Sequence, residues 1–383
     1  MKRLIYILLL LSLLSCEKEG DTMHKEGLMQ FSVLTPEMVS TKAEVTVGGL
    51  TSDSNPDQVY VYGMSSDGTS SIPVFASPGT AKLQYLPGTD TWKPIQIEYE
   101  ERIENGRHET YEKYVDKTWD SNGELYYQFY CYAFSGNSNL GKNLVISNEA
   151  LGRQFIVTQP EVASWDAPAA AGQNADGSGT VDYLLSYLVN VPPSPSKNYP
   201  LVQLQLEHAM AKVEVDVQMA TAMVGKIKNV TVAISGIKRG ATMLCIQPKF
   251  DTEPGSNTWS VNLNSSLSPA SYKVNNIVCS DANLAEGENL ISTDMSFIAV
   301  PVTRTEMDGY KLVLTYYNSG DDISDDPTYK YEFLLKDFTP NGWMSGHRVR
   351  YVLTVDNSIH LASSIVDYQD VDYMEGVMLP DIL

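Results

Sequence analysis

Short segments in which apolar and polar residues alternate recur along this chain of 383 residues. A period of two places successive side chains on opposite faces of an extended strand. The segments are rich in Val, Ile, Thr and Tyr and are bounded by Gly, Asn, Asp or Pro, as strands are. The clearest of them are residues 29–33, 43–47, 59–62, 126–134, 213–217, 230–234, 311–317, 331–335 and 348–355. No window predicts a long amphipathic helix, so the sequence predicts an all-β protein built from antiparallel β-sandwiches.

A proline-rich segment divides the chain into two parts of similar length. Pro192, Pro193 and Pro195 fall within four residues, and such a segment cannot join a central strand and forms a stiff connector. We therefore expect an N-terminal β-sandwich over residues 28–195 and a C-terminal β-sandwich over residues 196–383.

The N-terminus has the pattern of a lipoprotein signal. Lys2 and Arg3 precede an apolar run over residues 4–14, which ends at Ser15 and Cys16. The run is shorter than the roughly 20 residues that span a bilayer, and its basic start is typical of a secretory signal peptide.

The cysteine at the end of this run predicts a lipid anchor. We expect residues 1–15 to be removed, the Cys16 thiol to take a diacylglycerol and its amine to take a fatty acid such as palmitate. Several acyl chains on one residue anchor a protein stably to a membrane. An ordinary secretory signal with an accidental cysteine is the alternative. Residues 16–27 are polar and acidic and predict a flexible tether.

The chain is strongly acidic, with a formal net charge of −20. Nucleic acids and anionic lipids would repel such a protein, so neither is expected as a partner. Besides Cys16 there are three cysteines and no CxxC pair. Cys131 and Cys245 lie in apolar runs and are interpreted as core residues. A disulfide between Cys245 and Cys279 stays open, because their spacing does not decide it.

Four segments, in this order, resemble the fimbrillin family, the subunits of type V pili. They are the first strand with the Ser-Thr-Lys-Ala segment that follows it, the Val-Asp-Tyr-Leu-Leu-Ser-Tyr segment at 181–187, the strand pair at 202–215 that contains His208-Ala209, and the late segments 298–301 and 341–355. The resemblance implies two tandem transthyretin-like antiparallel β-sandwich domains in a surface-exposed fimbrium component.

The resemblance also implies a mode of assembly. In the family, a protease removes an N-terminal strand, and an extended C-terminal segment of the next subunit fills the groove by donor-strand exchange, a form of β-augmentation. The implied partners are other pilus subunits in a homo- or hetero-polymer, the outer membrane through the lipid anchor, and a ligand on a host or bacterial surface. A stalk, an anchor and a tip role all stay open.

The removable strand would be residues 28–34, which present Met29, Phe31 and Val33 on one face. Related subunits are often cut at Arg, but no Arg lies between Arg3 and Arg102. Lys42, just beyond the strand, and Lys25, before it, are therefore the candidate processing sites. The alternatives are that a protease of other specificity acts or that the strand is never cut.

The donor strand would come from the tail beyond residue 359. Its candidate apolar side chains are Val366, Tyr368, Val371, Tyr373, Val377 and Leu379. Alternation on one face does not distinguish a neighbour's sheet from the chain's own, so the alternative is that these residues form the last strands of the second sandwich.

Catalytic and metal motifs are not apparent. His208 has no HExxH context and is interpreted as structural, and the acidic loop at 321–326 is explained by a solvated hairpin tip as well as by Ca²⁺ binding. We therefore expect no enzymatic activity, no cofactor and no metal. The aromatic run at 126–132 is interpreted as sheet packing. An exposed aromatic platform would instead indicate the alternative function, a monomeric surface glycan-binding lipoprotein.

Overall fold

The structure is a computed structural model. It describes residues 27–34, 58–75, 80–86, 89, 91–104, 107–134, 145–149, 152–159, 180–245, 259–277, 290–323, 327–356 and 358–367. Within these ranges the regular elements are strands and three short 3₁₀ turns, Thr221–Met223, Arg304–Met307 and Leu335–Asp337. The prediction of an all-β protein is confirmed.

The described residues form 22 strands. The first twelve are β1 (Phe31–Leu34), β2 (Gln58–Ser66), β3 (Ser71–Pro73), β4 (Thr80–Leu86), β5 (Thr91–Glu104), β6 (Arg107–Asp116), β7 (Tyr126–Phe134), β8 (Val145–Glu149), β9 (Gly152–Thr158), β10 (Tyr183–Ser186), β11 (Val189–Val191) and β12 (Val202–His208). The remaining ten are β13 (Ala211–Met219), β14 (Ile227–Ile237), β15 (Gly240–Cys245), β16 (Trp259–Leu263), β17 (Ala270–Ile277), β18 (Leu290–Ala299), β19 (Lys311–Asn318), β20 (Tyr329–Leu334), β21 (His347–Val355) and β22 (Ile359–Asp367).

Seven strands of the N-terminal half close on themselves. Around the circuit the order is β7, β10, β12, β1, β5, β4 and β2, and β2 pairs again with β7; we call this circuit the ring. The strands β3, β6 and β11 extend it from β2, β5 and β7. The sequence predicts a two-sheet sandwich here. The structure instead has one closed sheet, because β1 pairs with β12 on one side and with β5 on the other. The strand β12, which lies beyond residue 195, belongs to the ring.

A four-stranded sheet joins the two halves of the chain. Its order is β16, β15, β9 and β8, and the central pairing of β9 with β15 brings residues from both halves together; we call it the junction sheet. The buried Gln159 extends this connection. Its side-chain amide donates to the Val181 carbonyl oxygen at 2.7 Å and accepts from the Val181 N–H at 2.8 Å, while its backbone N–H donates to the Arg239 carbonyl oxygen.

The C-terminal half is a sandwich of two four-stranded sheets around one apolar core. One sheet has the order β18, β13, β21 and β22, and the other has the order β17, β14, β19 and β20. Both sheets contribute to the core, for example Val213 and Tyr351 from the first and Ile234 and Leu314 from the second. We call this unit the C-terminal sandwich. Its pairs are antiparallel except for β13 and β21, which run parallel.

Candidate functional site

The strand β1 has only four residues and closes the ring. On one side it forms four parallel residue pairs with β12, from Phe31 with Val202 to Leu34 with Gln205. On the other side it forms one antiparallel pair with β5, Phe31 with Trp92. Parallel pairing is slightly less stable per residue than antiparallel pairing. Little backbone pairing therefore holds β1 between its two neighbours.

The residues just before β1 make a second attachment. The Met29 N–H donates to the Lys117 carbonyl oxygen at 2.9 Å, and the Trp119 N–H donates to the Gly27 carbonyl oxygen at 2.8 Å. The predicted removable strand, residues 28–34, thus lies in the ring from the isolated bridge at Leu28 to the end of β1.

Side-chain burial, more than backbone pairing, holds β1 in place. Met29 and Phe31 are almost fully buried in the ring core, and Val33 packs against it. The Phe31 and Phe129 rings meet edge to face, with centroids 5.2 Å apart, an arrangement that aromatic pairs favour. The predicted inward face of this segment is confirmed.

Removal of β1 would open a defined groove. The edges of β12 and β5 would lose their partner, and the volume of the Met29 and Phe31 side chains would be vacated in an apolar core. Unpaired backbone groups beside pockets for alternate side chains are what an added strand requires. The sequence did not point to β12 and β5 as the neighbours, because periodicity does not report which distant strands pair.

The C-terminal strand β22 lies at the edge of the C-terminal sandwich. It pairs antiparallel with β21 over nine residues, from Ile359 with Val355 to Asp367 with His347. Ile365 packs against the sandwich core, and the Ser363 hydroxyl donates to the Phe338 carbonyl oxygen. The backbone of Val366, the first candidate donor residue, therefore lies in this chain's own sheet, opposite Arg348.

Several predicted site residues lie outside the described residues. They are Cys16, Lys25, Lys42, Tyr368, Val371, Tyr373, Val377 and Leu379.

The aromatic run of β7 is covered on both faces. Phe129 belongs to the ring core, whereas Tyr130 and Tyr132 pack against Phe155 of the junction sheet. Only Tyr126, at the start of the strand, is largely exposed, at 55%. The interpretation of this run as sheet packing is confirmed.

Two other sequence features have structural explanations. Cys131 is buried in the ring core, as predicted, and burial raises the pKa of its thiol. In the acidic loop, the Asp321 carboxylate accepts hydrogen bonds from the Thr328 hydroxyl and the Asn318 N–H, which lower its pKa. Within the ranges that the structure describes, no group of three or more His, Cys, Asp or Glu side chains could hold a metal ion.

A buried histidine and carboxylate lie where the ring meets the rest of the chain. His208 Nδ1 is 2.8 Å from Asp182 Oδ2, and both side chains are fully buried. The Ala209 N–H, next along the chain, donates to the Tyr183 carbonyl oxygen, and the Ser345 hydroxyl donates to the Ala209 carbonyl oxygen. The His-Ala pair thus connects β10, β12 and the turn before β21, in a structural position as predicted.

The Gly-Trp turn before β21 fixes the C-terminal core. Gly342 has φ of +78°, and a Cβ there would lie 2.1 Å from the Val302 carbonyl oxygen, so glycine is required. Trp343 is fully buried, and its indole Nε1–H donates to the Tyr351 hydroxyl at 2.9 Å. That hydroxyl also shares a hydrogen bond with Thr339.

Alkaline pH is expected to unfold the protein through its buried tyrosines. Burial raises the pKa of Tyr351 and of Tyr127 to about 12, against about 10 in an unfolded chain. Between pH 10 and pH 12 the unfolded chain loses these protons first, so the free energy of unfolding falls over this range and is unaffected below it. Tyr351 alone would remove about 2 kcal/mol by pH 12, because its pKa is raised by about two pKa units at about 1.4 kcal/mol each.

Tyrosinate absorbance and circular dichroism, recorded over the same pH series, measure this effect. Exposed tyrosines ionise at about pH 10 even in a folded protein, but the last part of the absorbance rise is expected to coincide with the loss of β-sheet signal. Complete ionisation of the tyrosines while the sheet signal persists would contradict the prediction.

Comparison with known proteins identifies the class. A family model described as fimbrillin-like matches residues 127–367, which is more than half of the chain, so the protein belongs to the fimbrillin-like family. This family indicates a pilus-related, adhesive role at the cell surface. No curated protein matches the chain by sequence.

Solved structures of low sequence identity also align with the chain. A candidate cell adhesion protein from Bacteroides ovatus is 16% identical, with a TM-score of 0.40, over 90% of this chain and 99% of that one. A fimbrial assembly protein from Parabacteroides distasonis is 11% identical, with a TM-score of 0.34, over 90% and 97%. The fimbrial anchor protein Mfa2 from Porphyromonas gingivalis is 10% identical, with a TM-score of 0.30, over 89% and 99%. Within the described part of the chain, no helix is both long and apolar enough to span a membrane.

Proposed function

We propose that this protein is a structural, non-enzymatic subunit of a cell-surface pilus that assembles by donor-strand exchange. The strand β1 acts as an internal plug, and a C-terminal segment of a neighbouring subunit replaces it after cleavage. The two domains implied by the resemblance are then the ring with its attached strands and the C-terminal sandwich, which we take to be transthyretin-like.

One observation carries the proposal: a four-residue strand closes the ring. This strand pairs parallel with β12 over four residues and with β5 at one residue, and such limited pairing suits a strand that can be removed. Its buried Met29 and Phe31 suit a plug that blocks premature pairing. An uncut plug protects sheet edges, which would otherwise pair with other chains. Family membership supports the same assignment.

The donor segment in this proposal is the tail beyond β22. Because β22 is paired along its length with β21 and Ile365 contacts the core, we place the donor segment after Asp367. Tyr368, Val371, Tyr373, Val377 and Leu379 then supply the side chains that enter the groove of the next subunit.

Cys16 supplies the membrane attachment in this proposal. The signal-like segment before it supports lipidation, outer-membrane anchoring and exposure at the cell surface, with residues 16–27 as the tether. The glycan-binding alternative needs an exposed aromatic platform, but Phe129, Tyr130 and Tyr132 are buried.

Immunoblots of outer-membrane extracts, boiled and unboiled, test strand exchange. Unboiled extracts of the native chain are expected to show a ladder of polymers, which boiling converts to the single subunit. The N-terminal sequence of that subunit is expected to begin beyond Leu34. A chain that ends at Asp367 keeps β22 but is expected to lose the ladder. The double variant Lys25→Gln/Lys42→Gln is expected to keep β1 and also to lose the ladder.

The matched control is Lys82→Gln, which changes an exposed lysine of β4 and is expected to leave the ladder intact. A single native band that starts at Cys16 would exclude assembly by plug removal. A full ladder from the chain that ends at Asp367 would exclude the tail as donor.

A further inference from the structure

A concave trough lies on the outer face of the C-terminal sandwich, on the sheet of β17, β14, β19 and β20. It has a volume of about 710 Å³. One row across all four strands is Lys273, Ala233, Val313 and Glu332, which are neighbours in the pairing register. Because alternate residues share a face, these side chains point away from the core.

The floor of the trough is small and hydroxyl-bearing. Ala233 and Val313 are almost fully buried although they face outward. Thr231, Ser235 and Thr315 lie beside them and also line the cavity. The floor therefore offers hydroxyl groups around a small apolar centre.

The rim is basic on a protein that is otherwise strongly acidic. Lys273, Lys311 and Lys330 line the trough with one carboxylate, Glu332. Glu332 lies 3.2 Å from the Lys311 ammonium and 2.9 Å from the Lys330 ammonium. Among the described residues, no carboxylate forms an ion pair with Lys273. The lining thus has an excess of two positive charges in a chain of net charge −20.

We propose that this trough binds a carboxylate-bearing oligosaccharide, whose acidic groups meet the lysines and whose hydroxyls meet the threonine and serine floor. Ligand sites commonly combine a concave surface with a few convergent polar groups of this kind. A nucleic acid would be repelled by the acidic remainder of the chain. An extended acidic peptide would find no free backbone over the floor, since β14 and β19 are paired on both sides, whereas strand addition needs an open edge.

Titration calorimetry of the whole protein with an oligogalacturonate tests the proposal, with a neutral malto-oligosaccharide of the same length as the control ligand. We expect binding of the acidic sugar alone, weaker at higher ionic strength because exposed charges are screened. Lys273→Gln and Lys330→Gln are each expected to weaken binding by about tenfold, the effect of losing one charged hydrogen bond. Lys82→Gln, an exposed lysine on the ring, is expected to change nothing.

Three outcomes would overturn the proposal: no binding at low ionic strength, equal binding of the neutral sugar, or equal weakening by Lys82→Gln. Tighter binding of an oligoglutamate peptide than of the sugar would also overturn it, in favour of an acidic protein partner. The test does not depend on strand exchange, so the two proposals can fail separately.

Discussion

Replacement of Phe31 by alanine is expected to lower the free energy of unfolding by about 3–5 kcal/mol, the range for Phe→Ala in a packed core. Phe31 is fully buried and is the one residue of β1 that pairs with both neighbouring strands, Val202 on β12 and Trp92 on β5. Its loss leaves a cavity beside Phe129 at the point where the ring closes. Urea unfolding, followed by tryptophan fluorescence, measures the change, since Trp92 and Trp119 lie in the ring core.

The control for this variant is Ser32→Ala. Ser32 is the next residue of the same strand and is only half-buried, so its replacement is expected to cost less than about 1 kcal/mol. The proposed plug adds a second readout, because loosening of β1 should speed cleavage by a lysine-specific protease at Lys25 or Lys42, the lysines that flank the strand. If Phe31→Ala unfolds at the same urea concentration as Ser32→Ala, β1 does not anchor the ring.

The sequence predicted individual strands better than their partners. Alternation at 213–217, 311–317 and 348–355 correctly indicated β13, β19 and β21, because each has one face in an apolar core. The hairpin of β5 and β6 was not predicted. Residues 98–104 of this hairpin are rich in glutamate, which is depleted in strands. The hairpin is defined by the pairing of β5 with β6 and not by a local sequence pattern.

The closure of the ring could not be predicted from local patterns. The pair Phe31 with Val202 joins residues far apart in the chain, and a period of two is the same in an open and a closed sheet. The aromatic run shows a related limit. Aromatic residues on both faces of β7 indicated sheet packing but did not show what covers the second face. The junction sheet, formed partly by the distant β15, covers it.

The resemblance to the fimbrillin family predicted more of the candidate site than the alternation of apolar and polar residues did. It singled out the His208-Ala209 pair and the late segment 341–355, and the structure buries His208, Ala209 and Trp343. The sequence alone did not show which groups the polar atoms of either segment contact. Asp182 is part of the Val-Asp-Tyr segment, yet its proximity to His208 follows from the pairing of β10 with β12, which sets Leu184 opposite His208.

Replacement of His208 by leucine is expected to destabilise the protein by about 3 kcal/mol, the cost of leaving a buried carboxyl group without its partner. The imidazole lies 2.8 Å from the Asp182 carboxylate, and both side chains are excluded from water. Without the imidazole, the carboxylate keeps its desolvation cost but loses this partner. Because the pair connects β10 and β12 beside the turn at Ser345, the ring and the C-terminal sandwich are expected to lose stability together.

A double-mutant cycle distinguishes this cause from lost packing. Replacing both partners, in Asp182→Leu/His208→Leu, removes the buried carboxylate as well, and apolar replacement of a complete buried pair is often neutral or stabilising. The double variant is therefore expected to be more stable than His208→Leu alone. His360→Leu, at an exposed histidine on β22, is the matched control and is expected to unfold like the native chain. Additive costs of the two single variants in the cycle would show that the pair is not coupled, and the role of His208 would then be packing alone.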